Sequence, residues 1–129
     1  CGSAEELCAE GAQFDAISAL EVIEHVTDPA AFLGMLATML RPGGVLVVST
    51  MNRTLRSLAM AKIGAEYVLR LLPVGTHEWR KFITPAELGQ QAVRAGLRIA
   101  DIAGMVPALG GWRESRDLGV NYIACRVRD

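Results

Sequence analysis

The sequence contains no apolar stretch approaching the roughly 20 residues of a membrane-spanning helix, which excludes a helical span within it. It also lacks an excess of either charge. A net charge of −1 gives no overall pull toward nucleic acid, so any basic partner surface must be local. The three cysteines, Cys1, Cys8 and Cys125, are odd in number and show no CxxC spacing. That disfavours a disulfide framework and a zinc site alike and points to a reducing compartment. No charged n-region followed by an apolar core resembles a targeting signal. Above all, no glycine-rich GxGxxG turn follows any strand-like segment, and that turn is how α/β folds usually bring backbone amides up to a nucleotide. Either the ligand is not a nucleotide, or the front of the domain lies outside these residues.

What is present suits one soluble globular domain. Of 129 residues, 51% are hydrophobic and 21% charged, enough for a single core and no internal repeat or low-complexity linker. Ser3 can cap a short helix carrying Glu5 and Glu6 in its first turn, with Gly11 ending it. Phe14 to Leu20 reads as a short buried strand that delivers Glu21-Val22-Ile23-Glu24-His25 to its C-terminal end, where open α/β sheets keep their ligand crevices. Asp28 then suits an N-cap and Pro29 a first helical position. Phe32, Leu33, Leu36, Met39 and Leu40 recur at helical spacing up to Arg41-Pro42-Gly43-Gly44.

Val45 to Thr50 is a β-branched run that fits a fully buried parallel strand. Strand, helix and strand together imply a right-handed crossover. A helix is predicted over Leu55 to Leu72, closed by Pro73. Another runs from Thr84 to Gly96, with Thr84 and Glu87 forming a capping box. Leu97 to Ala103 and Asn121 to Val127 read as further strands, joined by a loop containing Gly110-Gly111-Trp112. Four strands and three or four helices make an incomplete doubly wound α/β sheet.

The order of these motifs carries a resemblance. Phe14-Asp15-Ala16-Ile17 through Glu24-His25-Val26, a helix, Leu40-Arg41-Pro42-Gly43-Gly44 and an apolar strand resemble the second half of class I S-adenosylmethionine-dependent methyltransferases. A narrower likeness lies in Ser49-Thr50-Met51-Asn52-Arg53, Gly64-Ala65-Glu66-Tyr67-Val68-Leu69 and Val120-Asn121-Tyr122. It is strongest in Pro73-Val74-Gly75-Thr76-His77-Glu78-Trp79-Arg80-Lys81-Phe82-Ile83-Thr84-Pro85-Ala86-Glu87-Leu88. These segments resemble the ubiquinone biosynthesis O-methyltransferase family, which methylates catechol-type hydroxyls on polyprenylated ring intermediates.

That family carries an N-terminal helix, a glycine-rich motif after its first strand and a ribose-holding acid after its second, and the sequence contains none of them. The resemblance therefore implies an α/β, partial doubly wound, Rossmann-like methyltransferase sheet without its N-terminal strands and cofactor glycine loop. Residues 1–129 are expected to form one domain portion, with a helical insertion at about 53–83, that binds cofactor poorly alone. Losing three strands would also leave an unpaired sheet edge and exposed apolar surface.

Methyl transfer to a phenolic oxygen needs that oxygen deprotonated and aligned, and a divalent cation chelating neighbouring hydroxyls achieves both. Glu21, Glu24 and His25 lie at offsets that share a face of a turn, and two carboxylates suit a hard cation such as magnesium. The resemblance implies the same three as metal ligands, with Glu24 and His25 catalytic and His25 an alternative base. The competing reading is that the acids merely favour a helix N-terminus. The resemblance also implies that Ser3, Ala4 and Leu20 contact S-adenosylmethionine; otherwise they are a helix cap and a core leucine.

The predicted helix Leu55 to Leu72 and its approach carry Arg53, Arg56, Lys62 and Arg70 against the single acid Glu66, on an apolar body. This suits either an anionic lipid surface or a lid packed on the domain. His77, Trp79, Arg80 and Lys81 are expected to shape the substrate entrance, and Trp112 and Arg113 to line a ring or tail pocket. Cys125 is expected buried and inert. The implied partners are a polyprenylated quinone precursor, an anionic membrane surface and a ubiquinone-biosynthesis complex, with no nucleic acid. The implied location is cytoplasmic at the inner membrane face, or the mitochondrial matrix side in a eukaryote. Two further readings compete: a generic class I small-molecule methyltransferase, and a catalytically silent methyltransferase-like domain that binds lipid or a partner.

Overall fold

In a computed structural model that describes residues 1–54, 57, 79–119 and 121–129, each described α-helix begins where the sequence places a side-chain cap. Helix α1 (Ala4–Ala9) starts on Ser3, whose Oγ accepts from the Glu6 N–H at 3.2 Å while the Glu6 carboxylate accepts the Ser3 N–H at 2.8 Å. Helix α2 (Pro29–Met39) starts on Asp28, which accepts from the Ala31 N–H at 3.0 Å, with Pro29 in the first turn. Helix α3 (Pro85–Arg94) repeats the reciprocal box with Thr84 and Glu87. Each such cap contributes about 1 kcal/mol. The predicted helix Leu55 to Leu72 lies outside the described residues, apart from Ser57, and so does His77.

Five strands, β1 (Phe14–Leu20), β2 (Leu40–Met51), β3 (Leu97–Ala108), β4 (Gly111–Ser115) and β5 (Asn121–Arg128), form one sheet in the order β1-β2-β5-β3-β4. Strand β1 pairs parallel with β2 across the α2 crossover, and every other neighbouring pair is antiparallel. Strand β2, predicted as purely parallel, is therefore parallel on one side only. Its first residues also differ from expectation: α2 stops at Met39, and Arg41-Pro42-Gly43-Gly44 enters β2 as an irregular stretch where the register jumps from Phe14↔Leu40 to Ala16↔Val45. The fifth strand, β4, arises where a loop is predicted, because Gly110 (φ +88°) supplies the left-handed turn that folds the chain back on β3.

Helix α1 packs on α2 and α2 on α3, and the apolar faces of this layer meet the sheet. The core joins Leu33 and Leu36 of α2, Leu46 and Val48 of β2, Leu88 of α3 and Tyr122 of β5. Full burial of each large apolar side chain contributes about 1.5–3 kcal/mol. Truncating the fully buried Leu46 to Ala should cost about 2–5 kcal/mol. Strand β1 is the exception to the buried-strand expectation. It stands at the edge of the sheet with only Ala19 buried, beside an apolar groove lined by Ala4, Leu7, Phe14, Ile17, Phe32 and Leu36. Burial of a strand depends on what lies on both of its sides, and β1 has a described partner on one.

Because β3 is antiparallel to β5 and β5 antiparallel to β2, strands β1, β2 and β3 all run the same way. Their C-terminal ends share one edge of the sheet. Open α/β sheets bind ligands outside that edge.

Candidate active site

At the C-terminal end of β1 the chain turns sharply, with Glu21 in the left-handed region at φ +53°, and then forms a short 3-10 turn, Ile23–His25. A non-glycine residue held there costs of order 1–3 kcal/mol and persists only where its surroundings fix it. Ser49 does the fixing. The Glu21 N–H lies 3.0 Å from the Ser49 carbonyl and 3.1 Å from Ser49 Oγ, which in turn donates to Glu21 Oε1 at 2.8 Å. One residue further along β2, the Thr50 hydroxyl donates to Glu24 Oε2 at 2.9 Å, and Glu24 is only 4% exposed. Two adjacent residues of β2 thus hold two carboxyl groups from the turn after β1.

The acids perturb one another. Desolvation pushes the Glu21 carboxyl up from its ordinary value to about 7; the Ser49 hydrogen bond opposes this and the neighbouring Glu24 carboxylate reinforces it. Glu21 as a residue stays exposed to solvent, which tempers the desolvation without removing it. A carboxyl that titrates near neutrality can exchange a proton with a substrate at ordinary pH.

His25, next in sequence, faces elsewhere. It lines a cavity of about 400 Å³ with Arg53, Arg80, Lys81, Glu87 and Gln91. Arg53 forms an ion pair with Glu87, so this acid is tied to the wall. The backbone N–H of Thr84, then its hydroxyl and Arg53, hold the Glu87 carboxyl below its ordinary value despite some burial. The cavity is therefore mainly cationic, with Arg80 and Lys81 in its lining. Trp112 and Arg113 lie on strand β4, exposed, and line neither this cavity nor the neighbouring one under α2.

Among the described residues no group of three or more His, Cys, Asp or Glu side chains is arranged to hold a metal ion. Glu21 and Glu24 lie together, but His25 lines the cationic cavity and a neighbouring one with Glu5 and Asp28, and neither acid of the pair lines either cavity. In this conformation the residues do not fit a three-ligand magnesium site. The cofactor candidates divide similarly. Ser3 engages both its N–H and its hydroxyl in the α1 cap, and Ala4 is half-buried beside the groove along β1. Leu20 is 53% exposed at the strand end, with Val22 exposed beside it. Leu20 is thus no core leucine, and it presents apolar surface at the end of β1.

Several partners in this site carry no role in the sequence reading. Ser49 and Thr50 stand as a polar pair closing an apolar strand, a signal present in the sequence. What selects them as partners of the acids is the ladder that sets Leu20 opposite Ser49. Tyr122 is fully buried and donates from its hydroxyl to the Ile83 carbonyl at 2.9 Å, tying the Asn121-Tyr122 motif to the segment before α3. Asn52 donates through Nδ2 to the Leu118 carbonyl at 2.7 Å, and its buried Oδ1 has no described partner.

Residues 3–102 match a family model described as a methyltransferase domain. The chain belongs to that family. This methyltransferase domain is 52% identical over 123 residues to the ubiquinone biosynthesis O-methyltransferase of Azorhizobium caulinodans, covering 94% of this chain and 49% of the relative. It is 49% identical over 126 residues to the mitochondrial ubiquinone biosynthesis O-methyltransferase of Arabidopsis thaliana, covering 96% of this chain and 39% of the relative. Among solved structures, the magnesium protoporphyrin IX methyltransferase of Synechocystis PCC 6803 with bound SAH matches at 22% identity with a TM-score of 0.62, covering 95% of this chain and 48% of that one. The fold is thus the α/β fold of S-adenosylmethionine-dependent methyltransferases. The methyltransferase domain spans about half the length or less of these relatives.

Proposed function

We propose that the chain is the substrate-side portion of a ubiquinone biosynthesis O-methyltransferase, which methylates a catechol-type hydroxyl of a polyprenylated quinone precursor. The observation that carries this reading is the carboxyl pair Glu21 and Glu24, clamped by Ser49 and Thr50 at the ligand edge of a sheet whose sequence is 52% identical to such an enzyme. S-adenosylmethionine supplies the methyl group, and Leu20 with Val22 gives it an apolar wall at the end of β1. Glu24 fixes the orientation of the pair, and Glu21, titrating at about 7, accepts the phenolic proton. His25, opening on the cationic cavity, serves as a second base.

Magnesium held by Glu21, Glu24 and His25 is an alternative use of the same residues, in which they act as ligands and not as bases. It requires His25 to leave its cavity and join the two acids. The same reading includes contact with an anionic membrane, membership of a ubiquinone-biosynthesis complex and a site of action at the cytoplasmic membrane face or in the mitochondrial matrix. The relative from Arabidopsis is named as mitochondrial, and no described helix is long and apolar enough to cross a membrane.

The test is methyl transfer to a short-chain prenylated catechol by the protein that carries this chain, followed by mass spectrometry. Glu24→Gln and His25→Ala should each lower the rate on the order of 100-fold. Unchanged rates in both variants would overturn the assignment. Equal rates on prenylated and plain catechol would instead favour a generic small-molecule methyltransferase, and lipid binding without turnover a silent domain.

A further inference from the structure

Tyr122 is the largest fully buried side chain among the described residues, and it is the second residue of β5, at the ligand edge of the sheet. Its place is fixed from both sides. The ladders set it opposite Thr50 of β2 and Gly104 of β3. Residues directly opposed in an antiparallel pair share a face, with Cβ atoms about 4.5–5.5 Å apart, so the Tyr122 ring starts beside the Thr50 side chain. Thr50 is the residue whose hydroxyl holds Glu24.

The tip of the ring reaches a different element. The Tyr122 hydroxyl donates to the Ile83 carbonyl at 2.9 Å, a buried bond between residues 39 apart. That carbonyl lies outside the ladder of α3, whose first bond runs from the Leu88 N–H to the Thr84 carbonyl. Ile83 closes a short segment that begins with a 3-10 turn, Trp79–Lys81, and Arg80, Lys81, Phe82 and Ile83 all line the cationic cavity. Phe82 and Ile83 are buried whereas Arg80 and Lys81 are exposed, so this wall is held from inside and presents its charges outward.

We infer that Tyr122 is a positioning residue for the substrate: it fixes how far the cationic wall of Arg80 and Lys81 stands from the carboxyl pair. Thr50 sets the acidic side at the root of the ring and Ile83 sets the cationic side at its tip, so one rigid side chain spans the gap. Tyrosine suits the task, because its body packs in the core and only its tip needs a polar partner. The bonds from Ser49 and Thr50 to the two acids do not involve the phenol hydroxyl, so proton acceptance survives its removal. What shifts is a wall that holds a part of the substrate remote from the transferred methyl group. Losing such uniform binding raises KM with kcat unchanged. This role rests on the proposed catechol methylation; the tie between the two walls does not.

The test is a double-substitution cycle in the protein that carries this chain, with a short-chain prenylated catechol as the varied substrate. Tyr122→Phe keeps the ring and should raise KM about tenfold while kcat stays within about twofold. Arg80→Ala should raise KM by about the same factor alone and by less than about twofold on top of Tyr122→Phe, because the wall has already moved. Para-aminophenylalanine in place of Tyr122 returns a donor to the same point and should restore KM. Amide exchange should quicken over residues 79–84 and not over 45–51. A residue that only stabilised the fold would lower the active fraction, and so kcat, with KM unmoved. That result would overturn the inference, and so would independent, multiplying effects of Tyr122→Phe and Arg80→Ala. Where Tyr122→Phe does not fold, a KM raised about tenfold despite the para-amino donor would overturn it as well. If the unsubstituted protein binds the catechol without methylating it, the reaction fails and the inference does not, since calorimetric binding then replaces KM in the same cycle.

Discussion

Glu24 and His25 are neighbours in sequence and occupy opposite worlds. Glu24 is buried against Thr50 in an acidic pair, whereas His25 opens on a cavity framed by Arg53, Arg80 and Lys81. The 3-10 turn between β1 and α2 divides the motif, sending one side chain under the strand ends and the next toward α3. A contiguous run of candidate ligands is therefore not a contiguous site. The acidic side suits proton acceptance and the cationic side suits an anionic or electron-rich group, and a substrate bridging them would span both ends of one turn.

The most damaging way to break the contrast is to neutralise its buried acid. Glu24→Gln should lower methyl transfer by about 100-fold in the protein that carries this chain. It weakens the acceptor of the Thr50 hydroxyl, and Glu24→Ala, which removes that acceptor, should cost about 1–3 kcal/mol in denaturant unfolding. Ser49→Ala should have the next largest effect. It removes the hydrogen bond that restrains the Glu21 carboxyl, so the pH profile of the reaction should move upward, and Ser49→Thr should restore it. A profile unmoved by Ser49→Ala would separate Glu21 from the chemistry.

Glu21 itself sharpens the contrast through pH. Its carboxyl in the folded chain lies above the ordinary value of 4.5, at about 7, so the folded state holds this proton more tightly. Its contribution to stability is full below about 4.5 and is lost as pH rises through about 7. Glu21→Gln should flatten that part of the stability profile in thermal unfolding measured across the window. Equal slopes in the two proteins would place the titration elsewhere.

The division between what the sequence announces and what it conceals follows the range of the interaction. Ser3 with Glu6, Asp28 with Ala31 and Thr84 with Glu87 are three residues apart, so their caps are readable in advance. The parallel pairing of the first two strands is equally legible from the crossover between them. The exposure of β1 is not, because it depends on what flanks the strand in space. Nor is the Glu21–Ser49 clamp, since it follows from a register linking residues 28 apart. Strand β4 escapes for a different reason: its turn is built on Leu109-Gly110, which lacks the usual polar signature of a hairpin.

The smallest expected effect lies on the cationic side. Arg53→Ala removes an ion pair in which both partners are more than a third exposed, so folding stability at neutral pH should change by only about 0–1 kcal/mol. The capping box survives, because the Thr84 N–H reaches Glu87 Oε2 at 2.8 Å independently of Arg53. What should change is the response to acid. The Glu87 carboxyl is held below its ordinary value, so its stabilisation is present above 4.5 and is lost as pH falls through the lowered value. Without Arg53 that loss should begin at slightly higher pH, and so it should in Thr84→Ala, which removes the hydroxyl contact but keeps the backbone N–H that makes the largest contribution. If Arg53→Ala shifts the acid limb more than Thr84→Ala, the cavity arginine outweighs the Thr84 hydroxyl in setting the charge of this wall. The cationic side would then depend on a single ion pair.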